Sequence, residues 1–262
     1  MSKIVFLGGG RITSAMLAGL RLAKTKHHLV IHDRNPGKLR ELKRRYAVAV
    51  EPDLNKAVMQ AEVLIVAVRP SSIRELLRSI GTTKNTRLAI SLAAGVPLRA
   101  LSKLAGPAVK WARAMPSPAC RSGCALTALT FPRNLPRSAR KLVADFLASF
   151  GQVVVIPESK FDAFTVTFSC SHGYHALAAL AAAAQSAGLG RKTALLAGAH
   201  ALADGIIAWR NGKQSLESLL DEAATPGGIA AATASRMDAA GYRRAVRQGV
   251  VAGMRRARMN AV

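Results

Sequence analysis

The residues with the clearest chemical meaning stand near the start of the sequence: Lys3-Ile-Val-Phe-Leu-Gly8-Gly9-Gly10-Arg11-Ile12-Thr13. An apolar run of strand length feeds straight into G-x-G-x-x-T, and a helix-like stretch follows. In such an arrangement Gly8 permits a tight turn and Gly10 lets the backbone approach a pyrophosphate. The helix that follows, opened by Arg11 and Ile12, aims its positive end at that anion. Thr13 occupies the place of a third small residue and still suits close packing. A second apolar run, about twenty residues on, ends at Ile31-His32-Asp33-Arg34-Asn35, which completes the context a dinucleotide fingerprint requires. An acid at that strand end favours a ribose diol, and an adjacent arginine favours a 2′-phosphate. Both are present. Arg34 and Asn35, backed by Lys38 and Arg11, tip the expectation toward NADP(H) over NAD(H). The alternative for Asp33 is a turn residue opening the helix before Pro36.

Elements able to position these groups can be read from the periodicity. Short β-branched runs at residues 4–7, 29–32, 63–68, 88–92, 109–113, 125–130 and 153–156 have strand length and composition. Helix-length segments at 14–23, 36–45, 54–61 and 72–80 lie between the early ones. The alternation predicts an α/β fold of βαβ units, a Rossmann-type doubly wound parallel sheet. After Pro157 the sequence becomes alanine-rich and strand-poor, with helices expected within 163–211, 215–223 and 239–259, broken at 188–190, Gly212 and 226–228. The expected division is a dinucleotide-binding domain over 1–158 and an all-helical domain over 159–262. Alanine faces bury little area within one subunit, so the helical half is a natural dimer surface. Gly249 and Gly253, four residues apart, suit close helix packing.

Composition narrows the class. The chain has 262 residues, half of them hydrophobic, which supplies a real core and excludes disorder. Its three cysteines, Cys120, Cys124 and Cys170, include no C-x-x-C pair, which argues against a disulfide scaffold and against a bound metal. The first ten residues lack a secretory apolar region. The longest apolar run, 176–184, falls short of the ~20 residues of a membrane helix. A cytoplasmic protein is expected. Lys and Arg number 38 against 14 acids, a net charge of +24 that invites a nucleic-acid reading. These basic residues are scattered over 40–45, 133–141 and 236–258 with no aromatic interleaving, which points instead to a basic surface and an anionic small ligand.

Later segments carry a family resemblance. Ala67-Val68-Arg69-Pro70 resembles the A-V-K-P of pyrroline-5-carboxylate reductases, and Ser91-Leu-Ala93-Ala94-Gly95-Val their S-x-A-A-G-V. Arg113-Ala-Met115-Pro116 is similar to R-x-M-P-N, Asp162-Ala-Phe-Thr165 to D-A-V-T, and Thr225-Pro-Gly227-Gly228 to S-P-G-G-T-T. The motifs follow the family order across nearly the whole chain. The resemblance implies an N-terminal Rossmann domain, a C-terminal helical dimerisation domain, and NAD(P)H-dependent reduction of a cyclic imine. It further implies cofactor contacts from 8–13, Ala67, Val68, Arg69, Pro70, Ala93, Ala94 and Gly95, with Met115 and Pro116 near the nicotinamide. The substrate would lie between that ring and helices of a partner subunit.

The substrate half departs from the pattern. Where the family has S-G-S-G-P-A-Y, this chain reads Phe168-Ser169-Cys170-Ser171-His172-Gly-Tyr174. Ungapped, the second serine becomes Cys170; shifted by one residue, Ser169 and Ser171 fill the serine places. Ile229 and Ala230 replace the threonines after Gly227-Gly228, and Ser117 replaces the asparagine after M-P. No acid occurs between Asp162 and Asp204. Ser169, Cys170, Gly227 and Gly228 are the candidate substrate contacts, and His172, Ser171 and Tyr174 the candidate catalytic groups. A histidine has a pKa suited to protonating an imine. The alternatives are a turn position for His172, solvent or a helix neighbour for His175, core packing for Tyr174 and a small buried filler for Cys170. Three functions follow: a reductase forming proline, a paralogue reducing another imine, and a silent NADP- or nucleic-acid-binding protein.

Overall fold

The computed structural model describes residues 2–81 and 87–261. Among the described residues, eight strands form one sheet: β1 (Lys3–Leu7), β2 (His28–His32), β3 (Ala49–Val50), β4 (Val63–Val66), β5 (Arg87–Ser91), β6 (Val109–Pro116), β7 (Ala125–Thr130) and β8 (Gly151–Val155). Their order is β3-β2-β1-β4-β5-β6-β7-β8. The reversal from β1 outward to β4 places the end of β1 beside the ends of β2 and β4. That is where open α/β sheets hold their ligands.

Helices cover both faces. Ile4, Phe6, Ile31, Ile65 and Ile90 project into one layer, closed by α1 (Arg11–Leu22), α2 (Pro36–Tyr46) and α6 (Arg137–Ala148). Val5, Leu7, Val30, Leu64 and Val66 project into the other, closed by α3 (Leu54–Met59), α4 (Ile73–Ile80) and α5 (Leu98–Ala105). A central strand buried on both faces needs an unbroken apolar run, which is why β1 and β4 read Ile-Val-Phe-Leu and Val-Leu-Ile-Val.

The sheet departs from the expected all-parallel order at one place. β6 and β7 are antiparallel, pairing Arg113 with Thr130 and Pro116 with Thr127. Only Ser117 to Cys124 separate them, much of it a 3-10 turn over Pro118–Ser122, and a parallel return needs a dozen residues or more. Beyond this, β3, α5 and α6 are elements that the sequence did not announce.

By compactness, the chain divides into Met1–Phe168 with Gly253–Val262, and Ser169–Ala252. The expected division at 158/159 thus differs from these units, which keep α7 (Glu158–Thr167) with the sheet. The second unit holds α8 (Ser171–Ser186), α9 (Arg191–Asn211), α10 (Leu216–Ala223), α11 (Ile229–Ala239) and the first part of α12 (Tyr242–Met259). The expected helix over 239–259 corresponds to α12, which starts at Tyr242 after Gly241, at φ +88°; α11, ahead of it, is a further element that the sequence did not announce. Arg236 therefore lies on α11, apart from the arginines of α12. Gly198 of α9 faces α8, where a Cβ would stand 3.2 Å from Leu177 Cδ1. Gly253 packs on Val166 within the first unit, while a Cβ on Gly249 would meet nothing. Among the described residues, no helix is long and apolar enough to cross a membrane.

Candidate active site

The glycine loop is built so that little can change in it. Gly8 sits at φ +112°, and a Cβ there would stand 2.7 Å from the Ala67 carbonyl oxygen. Its N–H donates to His32 O at 2.8 Å, tying the end of β1 to the end of β2. Gly9 donates to Asp33 Oδ2 at 2.7 Å. Thr13 is fully buried and its hydroxyl donates to the Gly8 carbonyl at 2.6 Å. Gly10 caps α1 with no side chain, and a Cβ on it would meet nothing within 4 Å. The first turn of α1 contains no acid, so its N–H groups and positive dipole end face outward without a counter-charge.

Asp33 is tied into the loop through its carboxylate. Oδ2 accepts from Gly9, Oδ1 accepts from Asn35 N–H at 2.8 Å, and Lys38 Nζ lies 3.8 Å from Oδ2. Its carboxylate braces the glycine loop. The Asn35 side chain caps α2, accepting from Gly37 N–H at 2.8 Å and Lys38 N–H at 3.3 Å. Arg34 pairs with Glu75 at 2.8 Å, with both side chains largely in solvent.

These elements enclose a cavity of about 870 Å³. Its lining includes residues 7–12, Ala67, Val68 and Arg69. Six basic side chains reach it, Arg11, Arg34, Lys38, Arg45, Arg69 and Arg121, against three acids, Asp33, Glu41 and Glu75. Sequence reasoning missed Arg45, taken as part of a surface cluster, and Arg121, which the turn after β6 delivers from far along the chain. An open glycine face, an uncapped helix start and excess positive charge fit a pyrophosphate-bearing dinucleotide. Among the described residues, no group of three or more His, Cys, Asp or Glu could hold a metal ion.

The other sequence candidates fall elsewhere. Thr13, Asn35 and Pro70 do not line the cavity; Pro70 begins a 3-10 turn before α4. Ala93, Ala94 and Gly95 form the loop leaving β5, and Met115 and Pro116 end β6, at the same edge of the sheet as the glycine loop. Ser169 to Tyr174 belong to the second unit, where Ser169 Oγ and Ser171 Oγ lie 2.8 Å apart. Cys170 is half-buried, and His172 lies exposed on the first turn of α8 beside its backbone bond to Ser169 O. His175 is also exposed. Tyr174 is 68% exposed, so it does not pack into a core within its unit. Gly227, at φ +75°, shapes the turn before α11, and Gly228 N–H is spent on Thr225 O at 2.8 Å. Ile229, in the place of the first family threonine, is 89% exposed.

Two buried side chains complete the framework. Arg113 on β6 is 1% exposed, with Asp162 Oδ1 at 2.7 Å and Glu158 Oε1 at 3.2 Å. Its guanidinium stacks 4.5 Å from the Phe161 ring centroid. Cys120 is buried where α1 meets the turn after β6, and burial pushes its thiol up to about 11.

Comparison with known proteins fits this arrangement. Residues 3–95 match a family model described as NADP oxidoreductase, coenzyme F420-dependent, and residues 158–260 match the pyrroline-5-carboxylate reductase dimerisation model. The pyrroline-5-carboxylate reductase of Synechocystis is 30% identical, covering 97% of this chain and 96% of the relative. The chain belongs to the pyrroline-5-carboxylate reductase family. The Corynebacterium melassecola reductase is also 30% identical, over 74% of each chain. The Streptococcus pyogenes 1-pyrroline-5-carboxylate reductase structure superimposes with a TM-score of 0.91 at 25% identity, covering 98% of both chains. The Plasmodium falciparum pyrroline carboxylate reductase with NADP bound shares the fold, with a TM-score of 0.89 at 20% identity over 100% of this chain and 98% of that one. A Rossmann-like N-terminal domain followed by a helical dimerisation domain is thus the architecture of this reductase-family chain, as the motifs implied.

Proposed function

We propose that this chain reduces the C=N bond of pyrroline-5-carboxylate to give proline, using NADPH in preference to NADH, as a cytoplasmic homodimer. The cavity at the glycine loop carries the reading, in a chain whose whole length follows the reductase family. Residues 8–13 would receive the pyrophosphate, with Gly8 and Thr13 fixing the turn and Gly10, Arg11 and Ile12 meeting the anion. Arg34 and Lys38 would hold the 2′-phosphate, with Asn35 and Asp33 shaping the loop beneath them. Since Asp33 spends both oxygens on backbone N–H groups, it offers a ribose diol less than a free acid would. Ala67, Val68, Arg69 and Pro70, the loop 93–95, and Met115 and Pro116 would line the rest of the cofactor path.

The bound nicotinamide supplies the hydride to the imine carbon. The chain's own residues have three tasks: orienting the ring, holding the substrate carboxylate and keeping a proton at the imine nitrogen. Ser171, His172 and Tyr174 are the proposed proton-bearing set, and Ser169 and Cys170 the neighbouring contacts. Gly227 and Gly228 set the start of α11, whose first N–H groups lack intrahelical acceptors and suit a carboxylate. The unpaired cysteines Cys120, Cys124 and Cys170 fit a reducing compartment. The apolar side chains exposed on α9 and α10 support a dimer.

One specific feature favours a second substrate. Ile229 and Ala230 remove two hydroxyl groups that the family places after P-G-G. The deciding experiment follows oxidation of NADPH and NADH with pyrroline-5-carboxylate and with cyclic imines that lack a carboxylate. The expected result is turnover of pyrroline-5-carboxylate with kcat/KM about tenfold or more higher for NADPH than NADH, since one well-placed charged contact is worth about 1.4 kcal/mol or more. Turnover confined to the uncharged imines would reassign the substrate.

A further inference from the structure

The loop Ala93–Ala94–Gly95 is held from outside the sheet by the end of α12. Asn260 Nδ2 donates to the Ala94 carbonyl at 3.2 Å, across 166 residues of chain. Gly95, at φ +77°, lies so close to the last turn of α12 that a Cβ would stand 2.2 Å from the Ala257 carbonyl oxygen and 2.9 Å from Asn260 Cβ. Ala257 is itself buried, and the Asn260 N–H donates to the Ala257 carbonyl at 3.0 Å, which fixes the side chain over the loop. One turn earlier Gly253 seats the helix on Val166 of α7, where a Cβ would meet Val166 Cγ1 at 2.6 Å. Close backbone approach at Gly95 and Gly253, plus a directed amide donor, make a fitted joint.

The same loop is braced at its far side. Glu158 Oε1 accepts the Leu98 N–H at 2.6 Å, capping α5 in the absence of a side-chain cap from Pro97. The loop's own bonds are few: Leu92 N–H to Val66 O, and Ala93 N–H to the Ser91 hydroxyl at 3.3 Å. Ala93, Val96 and Leu98 pack into the core, while the polar backbone groups at Ala94 and Leu98 are held by α12 and α7.

We infer that Asn260 is a positioning residue for NADPH: it fixes the Ala93–Gly95 loop from the end of α12. This rests on the reading that the loop borders the cofactor. α12 also continues into the second unit, since its residues up to Ala252 belong there. The anchor is thus carried on a helix shared with the dimerisation region.

The test compares Asn260→Ala, Asn260→Asp and Asn260→Gln with the parent protein. Readouts are NADPH affinity by fluorescence titration, the kinetic constants with pyrroline-5-carboxylate, amide hydrogen exchange of the peptide spanning 91–97, and Tm. Losing one anchoring hydrogen bond of about 1 kcal/mol predicts an NADPH Kd raised about five-fold in Asn260→Ala. kcat at saturating NADPH should stay within twofold, and exchange should speed up in the 91–97 peptide. Asn260→Asp, which removes the donor and adds a charge facing a carbonyl, should weaken NADPH at least as much. Asn260→Gln, which keeps the donor, should recover part of the loss. An unchanged Kd with unchanged exchange at 91–97 would overturn the inference. So would a fall in Tm that accounts for the whole loss, with exchange faster throughout the sheet. If the parent binds NADPH but does not turn over pyrroline-5-carboxylate, the substrate reading fails while this inference is still tested by the titration. A parent that binds no NADPH would overturn both.

Discussion

The two units of this chain solve opposite problems. In Met1–Phe168 with Gly253–Val262, the apolar runs are buried by the chain's own helices, and polar groups are paired with specific partners such as Asp33 with Gly9 and Arg113 with Asp162. In Ser169–Ala252, only Ala181, Ala194 and Gly198 are buried, while Leu196, Ile207, Trp209, Leu220 and Ile229 remain largely exposed. A sheet can form a core by itself. Helices whose inner faces are alanine bury too little area to do so, and their larger side chains stay in contact with solvent. On the proposed function, cofactor chemistry belongs to the self-sufficient unit and assembly to the dependent one.

The sharpest way to break this contrast is a pair of substitutions. Ile207→Glu places a charge on the exposed face of α9 and is expected to raise the dimer dissociation constant about a hundredfold, read by light scattering across a dilution series. It should leave NADPH titration within twofold. Gly8→Ala, which must accommodate φ +112° and the Ala67 carbonyl, should weaken NADPH about tenfold or more with the dimer intact. If each substitution damaged both properties equally, the units would not be the functional divisions drawn above.

A smaller effect sharpens the picture of how the first unit is held together. Arg113→Met removes the buried guanidinium and strands Glu158 and Asp162, whose side chains are 36% and 28% exposed. Because both acids reach solvent, the expected loss is about 2–3 kcal/mol rather than the full cost of a wholly buried pair, measured from urea unfolding of the variant. A change under about 0.5 kcal/mol, the size of an ordinary surface substitution, would show that the pair contributes little.

The smallest effect concerns pH. Burial raises the Cys120 thiol from its ordinary 9.0 to about 11, so the fold holds this proton more tightly than the unfolded chain does. The contribution is fully present below pH 9.0 and is lost as pH rises through about 11. Between those values, Cys120→Ala should lose stability less steeply than the parent. At pH 8, alkylation should modify exposed Cys124 while sparing Cys120 until the protein unfolds. Matching pH slopes for the two proteins would remove the thiol from the account.

How legible each part was from sequence follows from where its causes lie. The strands of the first unit, and the glycine loop between β1 and α1, are local patterns, so their place was readable to within a few residues. β3 is two residues long and exists only through its pairing with Val30 and Ile31, which no local pattern announces. Direction also escaped: the composition of β7 marks a strand, whereas its antiparallel course is set by the short connection from β6. α6 begins in a basic stretch, Arg137-Ser-Ala-Arg140-Lys141, whose charges stood out more than its period. In the site, Gly8 was visible because backbone geometry selects glycine there, and Gly10 because it completes the spacing of the fingerprint. Arg121 in the cavity and the Arg113 pairs were not, because their partners lie far apart in sequence. The substrate loop kept only part of the family motif, and spacing alone could not say which hydroxyl groups meet.

The bond from Leu98 N–H to Glu158 spans 60 residues, and it bears on the order in which the chain folds. β1, α1 and β2 can meet over short distances, and β4 and β5 join them across modest loops. The start of α5 has no side-chain cap of its own, and the Glu158 acceptor can reach it only once β6, β7, α6 and β8 have brought residue 158 back. Contacts of such sequence separation form late, because the loop entropy comes before the reward. The loop expected to border the cofactor would then be among the last parts of the sheet edge to become rigid. On a chain still being synthesised, the glycine loop would be in place well before its counterpart beside β5.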